Sequence, residues 1–288
     1  MKKFIIMFIA FIFILAFLIG QCNDDTPDAF YESVDVVEES VIQEETEVDD
    51  VPQKNLREDL RDDAVEIPKV LSDVPEQLLN RMAYMISYNF STKCPNWVAW
   101  HLTAEHADGN IARTNDYRED MDVPSPRATN EDYKGSVWSR GHLCPAGDNK
   151  WDEKAMSESN LLTNICPQHA SLNSGLWNVI ERDCRKWAKK YGDVYIACGP
   201  IYLNKEHETI GANRIVVPEA FFKVILCLKD KPKAIGFIVR NNEGTKKKDQ
   251  YVNTVDEVER ITGIDFFPAL PDDIENEVEA YSNLEDWK

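Results

Sequence analysis

The sequence predicts an α+β fold with a mixed, largely antiparallel sheet and flanking helices. Runs rich in β-branched and aromatic residues are interspersed with few helical patterns, and several connections between them are short. The 288-residue chain shows no internal repeat. A single domain of about 210 residues is therefore expected, which is large enough to bury a substantial core.

Five runs predict strands, because aromatic and β-branched residues are typical of strands. Turn-forming Asn, Ser and Pro separate the first two runs, so we expect those two strands to pair. Pro218 interrupts the fourth run, since proline cannot donate a ladder hydrogen bond. The predicted strands are 83–89, 96–103, 193–202, 214–228 and 234–240.

Four segments predict helices. The strongest is 174–191, which ends at Gly192, a residue type that commonly follows the last helical turn. The other three are shorter and carry fewer signals. They are 152–159, 255–262 and 271–280.

The amino terminus resembles a targeting segment. Two lysines precede a short apolar run, so residues 1–21 predict a signal peptide or an N-terminal membrane anchor. Cys22 follows at once and is a candidate for lipidation, although Gln21 replaces the small residue usual at that place. We therefore expect an exported protein that is anchored to a membrane, facing the periplasm or cell exterior, or else secreted.

Charge divides the rest of the chain. Residues 22–74 predict an acidic disordered linker, and 75–288 predict the folded domain. The formal net charge of −19 disfavours a protein that stores DNA, which needs a basic surface. Residues 23–66 hold 17 acidic side chains against three basic ones, however, which leaves −7 for residues 67–288. A local cationic cleft is compatible with that distribution.

A short segment combines groups that suit phosphate chemistry. Arg140, Gly141 and His142 are consecutive in a stretch rich in turn formers, so we expect them at a strand end or on a loop. An imidazole can accept a proton from water near neutral pH. A guanidinium stays charged and can pair with a phosphate through two donors.

A polar stripe lies on the longest predicted helix. Asn173, Trp177, Glu181 and Arg185 recur every four residues and so share one face. One interpretation is a solvated face in which Glu181 and Arg185 form an ordinary ion pair. The other is a metal site, in which the amide oxygen of Asn173 binds a hard cation such as Mg²⁺.

Together these motifs resemble the DNA/RNA non-specific endonuclease family, the ββα-metal nucleases that include the Serratia-type nuclease and endonuclease G. The resemblance covers roughly residues 80–280, in order and at sensible spacings. Its most specific segments are Arg140-Gly141-His142, Pro145-Ala146-Gly147-Asp148, Leu162-Thr163-Asn164-Ile165-Cys166-Pro167-Gln168 and Leu172-Asn173-Ser174-Gly175-Leu176-Trp177-Asn178-Val179-Ile180-Glu181.

The resemblance implies the ββα-metal nuclease fold and a role for each residue of the site. It makes His142 the general base, Asn173 the single direct metal ligand and Glu181 the residue that orients water on the metal. The implied cofactor is Mg²⁺, for which Mn²⁺ can substitute. Arg140 and Arg113 match catalytic arginines, and Arg140 and Arg185 match residues that bind the phosphate.

The match of Arg113 is looser, because Arg118 and Arg127 lie nearby in the sequence. The implied activity is hydrolysis of DNA and RNA to 5′-phosphate products, without sequence specificity, by a protein that can form a homodimer. One departure matters: the family motif usually begins with Asp, and this chain has Ser139. The alternative is therefore a catalytically degenerate protein of the same fold that only binds nucleic acid at a surface.

Six cysteines follow Cys22, and an exported chain permits disulfides. Cys144 and Cys166 each lie beside a motif, so we predict that they form a bridge. Buried free thiols are the alternative. A zinc site formed by Cys144, Cys166, His142 and His169 is a further alternative, although the spacing fits no paired zinc pattern.

Overall fold

The computed structural model describes residues 64–69, 71–242 and 247–288, and this part of the chain folds around a seven-stranded sheet. Its strands are β1 (Gln77–Asn80), β2 (Met85–Asn89), β3 (Cys94–Thr103), β6 (Asp193–Ile201), β9 (Ala220–Cys227), β10 (Lys233–Arg240) and β11 (Val252–Asn253). Two further pairs of short strands are β4 (Ser139–His142) with β5 (Ile165–Gln168), and β7 (Thr209–Ile210) with β8 (Ile215–Val216).

The large sheet has the order β1-β2-β3-β6-β9-β10-β11, and every neighbouring pair in it is antiparallel. The expected α+β class with a largely antiparallel sheet is confirmed. Pro218 ends one ladder, because β8 stops at Val216 and β9 begins at Ala220. The predicted strand 214–228 is therefore two strands.

The helices are α1 (Asn130–Tyr133), α2 (Glu153–Ser159), α3 (Ala170–Leu172), α4 (Asn178–Tyr191), α5 (Val255–Thr262) and α6 (Asp272–Glu279). A π-helical turn, Asn173–Trp177, joins α3 to α4, and Gly175 within it has non-helical backbone angles. The chain leaves α4 at Gly192, whose positive φ of 99° is accessible to glycine. The predicted helix 174–191 is thus correct in extent, but its first turn is wider than an α-helix.

The large sheet is covered on both sides, and strand β9 shows why. Its side chains alternate, with Phe221, Ile225 and Cys227 in one hydrophobic cluster and Phe222 and Val224 in the other. The first cluster includes the buried residues of α4, and we call that side the α4 face. The second includes the buried apolar residues of α5 and α6, and we call it the α5–α6 face.

The folded body begins earlier than the sequence predicted. The acidic linker was expected to extend to residue 74, but Val65 and Ile67 are buried in the cluster of the α5–α6 face. The backbone of Lys69 also donates to the carbonyl of Asp265 at 2.9 Å. These two apolar residues lie within an otherwise charged segment, so composition alone hides the contact.

The predicted targeting segment 1–21, Cys22 and most of the linker lie outside the described residues. The helices within residues 64–69, 71–242 and 247–288 lack the length and the apolar composition that a membrane span requires.

Candidate active site

The β4–β5 pair presents the Arg-Gly-His motif. His142 lies opposite Ile165, and Ser139 lies opposite Gln168. Gly141 is in the strand, where a Cβ would meet the Gln168 side chain at 2.3 Å. Glycine is therefore needed for close packing between the strands.

The imidazole of His142 is buried and held by Asn160. His142 Nε2 lies 3.1 Å from Asn160 Oδ1. The amide nitrogen of Asn160 donates to Thr114 Oγ1 and to Asp116 Oδ1, both at 2.9 Å, so Oδ1 is the atom that faces the ring. This network assigns the proton of the neutral ring to Nε2 and leaves Nδ1 with its lone pair.

The surroundings of His142 favour its neutral form. Burial lowers the pKa of His142 to about 4, the hydrogen bond to Asn160 opposes this effect, and Arg113 and Arg140 add to it. Its side chain is only 6% exposed. A ring with this pKa is unprotonated at neutral pH and can accept a proton.

Asn173 stands beside the motif because of its contact with Ser139. Asn173 Nδ2 donates to Ser139 Oγ at 3.1 Å, and that hydroxyl donates in turn to the carbonyl of Gln168 at 2.7 Å. The contact uses the amide nitrogen, so the amide oxygen of Asn173 is the atom left to bind a ligand. The serine that stands in place of the usual Asp therefore fixes the amide orientation.

The same helical segment contacts the strand a second time. Trp177 Nε1 lies 3.4 Å from the carbonyl oxygen of His142. The π-helical turn thus lies against β4 at both Ser139 and His142. Such turns often mark functional sites, since they reorient side chains relative to the helix that follows.

Glu181 lies one turn further along the helix and is partly buried. Burial raises the pKa of Glu181 to about 7, while Lys223, Arg185 and Arg113 act to lower it and Asp148 to raise it. Its carboxylate makes no hydrogen bond or ion pair with the residues that the structure describes. The group is therefore available to a ligand or to water.

Arg185 pairs with Asp148 instead of with Glu181. Arg185 Nη1 lies 2.6 Å from Asp148 Oδ1, and Trp100 Nε1 donates to Asp148 Oδ2 at 3.1 Å. The ordinary Glu181–Arg185 ion pair is therefore not the one formed. A Cβ on Gly147 would meet Arg185 at 2.7 Å, which explains the glycine before Asp148.

Two of the candidate arginines face the site. Arg140 stacks its guanidinium 4.4 Å from the ring centre of Tyr117, and its Nη1 donates to Asn130 Oδ1 at 2.7 Å. Arg113 is exposed and lies close enough to lower the pKa of both His142 and Glu181. It is thus near both halves of the site.

The two competing arginines have protein partners, and Arg118 pairs with Asp116 at 3.1 Å. Arg118 donates to the carbonyl of Ser157 at 2.8 Å, and Arg127 pairs with Glu119 at 3.1 Å. Of the three arginines, Arg113 is the one that lowers the pKa of both His142 and Glu181. The protein partners of Arg118 and Arg127, and the electrostatic effect of Arg113 on His142 and Glu181, favour Arg113 as the site arginine.

Lys223 is a charged residue that sequence reasoning gave no role. It is fully buried on the α4 face, with Nζ 4.8 Å from the Trp100 ring centre and 4.7 Å from that of Trp177. Burial opposes its charge, but the surrounding Cys198, Cys184, Glu181 and Asp148 raise the pKa of Lys223 overall. The signal in the sequence was a lysine inside an otherwise apolar strand.

Asn160 and Asp148 also had no assigned role. Asp148 stood within a quoted motif, but only the fold shows that it binds the helix through Arg185. Asn160 carries no sequence signal, because it contacts His142 from 18 residues away.

The predicted Cys144–Cys166 bridge is wrong, and the alternative of buried free thiols is confirmed for both residues. Cys166 lies opposite Gly141 in the β4–β5 pair, and Cys144 is three residues beyond Gly141 in the chain, so the two cysteines are not opposite each other. The zinc alternative fails too. Among the described residues, the grouping of potential ligand atoms involves neither cysteine and neither His142 nor His169.

Comparison with known proteins agrees with the motifs. The family model described as DNA/RNA non-specific endonuclease matches residues 62–273. Nuclease EXOG, mitochondrial, from Xenopus laevis is 36% identical over 207 residues, covering 66% of this chain and 58% of that protein. Nuclease C1 from Cunninghamella echinulata var. echinulata is 35% identical over 209 residues, covering 67% of this chain and 83% of that protein.

Two further matches concern endonuclease G. Human endonuclease G, mitochondrial, is 37% identical over 161 residues, covering 52% of this chain and 54% of that protein. A crystal structure of an EndoG/EndoGI complex superposes with a TM-score of 0.66 at 30% identity, covering 71% of this chain and 89% of that one. The chain thus spans little more than half the length of several curated relatives.

The comparisons overturn the expected localisation. Export and anchoring to a membrane facing the periplasm or cell exterior were expected, but the EXOG and endonuclease G relatives are named as mitochondrial nucleases. A basic start and a short apolar run describe a targeting segment without identifying the membrane that receives it. The expectation of export rested on that pattern alone.

Proposed function

The chain belongs to the DNA/RNA non-specific endonuclease family, and from that membership we propose that it is a Mg²⁺-dependent endonuclease that cleaves DNA and RNA. His142 is the general base, and hydrolysis leaves 5′-phosphate products. The observation that carries this proposal is the hydrogen bond between His142 and Asn160, at 3.1 Å. It holds a buried, neutral imidazole in the tautomer whose Nδ1 can accept a proton.

The residues present fit a Mg²⁺ ion. Mg²⁺ prefers oxygen ligands and keeps most of its waters, so it needs few protein ligands. Asn173 offers an amide oxygen whose orientation is set by Ser139, and Glu181 offers a carboxylate without a protein partner among the described residues. When bound by Asn173, Mg²⁺ would supply positive charge beside the phosphate and the leaving oxygen.

The protein side of the reaction follows from the positions of these groups. His142 Nδ1 removes a proton from a water molecule, and the water oxygen attacks phosphorus in line with the 3′ oxygen. The bond between phosphorus and the 3′ oxygen breaks, and that oxygen takes a proton from a second water molecule. Arg140 and Arg113 stabilise the charge that grows on the phosphate. Glu181 accepts hydrogen bonds from water beside the metal ligand and so fixes its position.

Substrate breadth follows from which part of the nucleic acid is contacted. The candidate side chains are a base, an amide, a carboxylate and arginines, which suit a phosphate and a metal ion, and contacts to phosphate carry no sequence information. Arg185 adds positive charge near the site while it stays paired with Asp148. We therefore propose that the protein cleaves the phosphodiester bonds of both DNA and RNA without sequence preference.

The test is a cleavage assay. The full chain is incubated with plasmid DNA and, separately, with a long RNA, in the presence of Mg²⁺ and of Mg²⁺ with excess EDTA. We expect cleavage only with free Mg²⁺ and termini that a 5′-phosphate-dependent exonuclease accepts. His142→Ala should lower the rate by about 10²- to 10⁴-fold, as expected for loss of a general base.

His207→Ala is the matched control, because His207 bonds Glu219 at 2.9 Å and takes no part in the site. Its activity should equal that of the unmodified protein. Full activity of His142→Ala would refute the role of the base. Binding of nucleic acid without any cleavage would instead support the degenerate nucleic-acid-binding protein.

The resemblance also implies a homodimer, and we propose that state for the full chain. Light scattering coupled to size-exclusion chromatography measures the mass directly. A mass equal to that of one chain, across the concentrations used for activity, would refute the dimer.

A further inference from the structure

A group of carboxylates lies on the α5–α6 face, remote from the candidate active site. Helices α5 and α6 both pack against β10, with Val258 and Val278 buried beneath them. Asp256 and Glu259 are three residues apart on α5 and so project from one side of it. Glu279 is the last residue of α6, and one oxygen from each of the three residues lies within 4.8 Å of the others.

Glu279 is the unusual member of this group. It is only 6% exposed, and its Oε1 has no hydrogen-bond partner among the residues that the structure describes. The charged groups with the largest effect on it are all carboxylates: Glu259, Glu275, Asp256 and Asp265. A buried carboxylate surrounded by like charges is strongly unfavourable unless something neutralises it.

Nearby basic side chains are directed to other acids. Lys69 pairs with Asp265 at 3.0 Å, and its side chain is largely exposed. Arg260 bonds both oxygens of Glu257 through Nε and Nη2, at 2.9 and 3.0 Å. Glu259 accepts from the backbone of Phe266 at 2.6 Å, which occupies one of its two oxygens and leaves the other for a ligand.

We propose that Asp256, Glu259 and Glu279 bind one divalent cation, of which Ca²⁺ is the best match, and that this ion ties α5 to α6. Ca²⁺ accepts six to eight oxygen ligands in irregular geometry, so three carboxylates and several waters suit it. Mg²⁺ demands a more regular octahedron and binds dedicated carboxylate cages less readily. The ion would be structural, because it lies across the sheet from His142.

Burial also disfavours the ionised form of these carboxylates, so a proton or a cation must balance their charge. Without a cation, burial raises the pKa of Glu279 to about 9 and that of Glu259 to about 7, with the neighbouring acids adding to both effects. A cation with two positive charges removes this repulsion and allows all three carboxylates to ionise. Binding should therefore release protons into the buffer at pH 7.

The experiment uses the full chain carrying Asn173→Ala, so that the proposed catalytic metal ligand is absent. The protein is stripped with EDTA, desalted, and titrated with Ca²⁺ in a calorimeter, and its thermal unfolding is recorded with and without Ca²⁺. We expect one bound Ca²⁺ per chain and a higher melting temperature. Mg²⁺ at the same concentration should raise that temperature less.

Three variants locate the site. Glu279→Gln and Asp256→Asn should each weaken Ca²⁺ binding by at least about tenfold, since ligand charge sets the affinity of such sites. Glu277→Gln is the matched control, because Glu277 lies on the same helix but is exposed and pairs with Lys231 at 3.8 Å. Asp256 is exposed, so its variant should fold even if the Glu279 variant does not.

Two results would overturn the proposal. One is the absence of Ca²⁺ binding by the Asn173→Ala protein at millimolar Ca²⁺. The other is binding that Asp256→Asn leaves unchanged. Neither result bears on the nuclease, because Glu279→Gln in the otherwise unmodified chain should retain full Mg²⁺-dependent cleavage.

Discussion

The two faces of the sheet treat buried charge in opposite ways. On the α4 face, Asp148 meets Arg185 and Trp100, and Lys223 lies between the rings of Trp100 and Trp177. On the α5–α6 face, Glu279 meets only other carboxylates among its strongest charged neighbours. Paired charges hold their side chains in fixed positions, whereas an unbalanced group of acids requires a proton or a cation.

This difference shows where the protein itself supplies the geometry. Around His142, each oriented group has a partner that orients it, as Asn160 does for the ring and Ser139 for Asn173. Catalysis benefits from such fixed positions, because groups that are already oriented need not reorganise during the reaction. Around Glu279, the protein supplies carboxylates, and the charge that balances them must come from a proton or a cation taken up from solution.

The largest expected effect is a loss of stability when the buried Arg185–Asp148 pair on the α4 face is removed. Arg185→Met leaves the Asp148 carboxylate buried without its main partner, so the free energy of unfolding should fall by about 3–5 kcal/mol. Urea denaturation followed by tryptophan fluorescence measures this change.

The matched control for that prediction is Lys189→Met on the same helix. Lys189 pairs with Asp108, but both side chains are substantially exposed. Exposed pairs contribute about 0–1 kcal/mol, so the control should lose little stability. Equal losses in the two variants would contradict the special role given to the buried pair.

A smaller effect is expected from the pH dependence of stability. Burial lowers the pKa of His142 to about 4 in the folded protein, against an ordinary value of 6.5 for an exposed histidine. Between these values the unfolded chain binds a proton that the folded chain does not, so the folded state loses stability as pH falls from 6.5 towards 4. The loss from this one group is about 3 kcal/mol at most.

His142→Asn removes that group and is the comparison to make. The unmodified protein should lose more stability than the variant over this pH range, when both are unfolded by urea at each pH. Parallel curves for the two proteins would show that His142 is not buried in its neutral form.

The smallest effect concerns Ser139. Ser139→Ala removes the hydroxyl that joins Asn173 to Gln168. A typical hydrogen bond contributes about 1 kcal/mol, and this is the free energy that would no longer hold the Asn173 amide in place. Cleavage should slow by about three- to tenfold, with more Mg²⁺ needed for half of the maximal rate. Ser139→Thr keeps the hydroxyl and should restore most of both values. An unchanged Mg²⁺ requirement in the alanine variant would separate Ser139 from the metal ligand.

Much of the fold could be predicted because it depends on local patterns. The helix α5 was predicted with its observed bounds, since Thr254 caps it and Gly263 ends it with a positive φ. The strands β4 and β5 were not predicted as strands, because each has four residues and neither shows a two-residue alternation. Short strands depend on their partner more than on their own composition.

The sequence by itself determined the family and the sheet-rich α+β class, and it indicated the residues that we propose for the chemistry. Those features depend on motifs and on short periodic patterns, which can be recognised from the order of residues along the chain. Only the tertiary structure decided that Arg185 pairs with Asp148 and that Asn160 fixes the ring of His142. Each of these depends on two side chains far apart in the chain, and their distance is set by packing that no local pattern records.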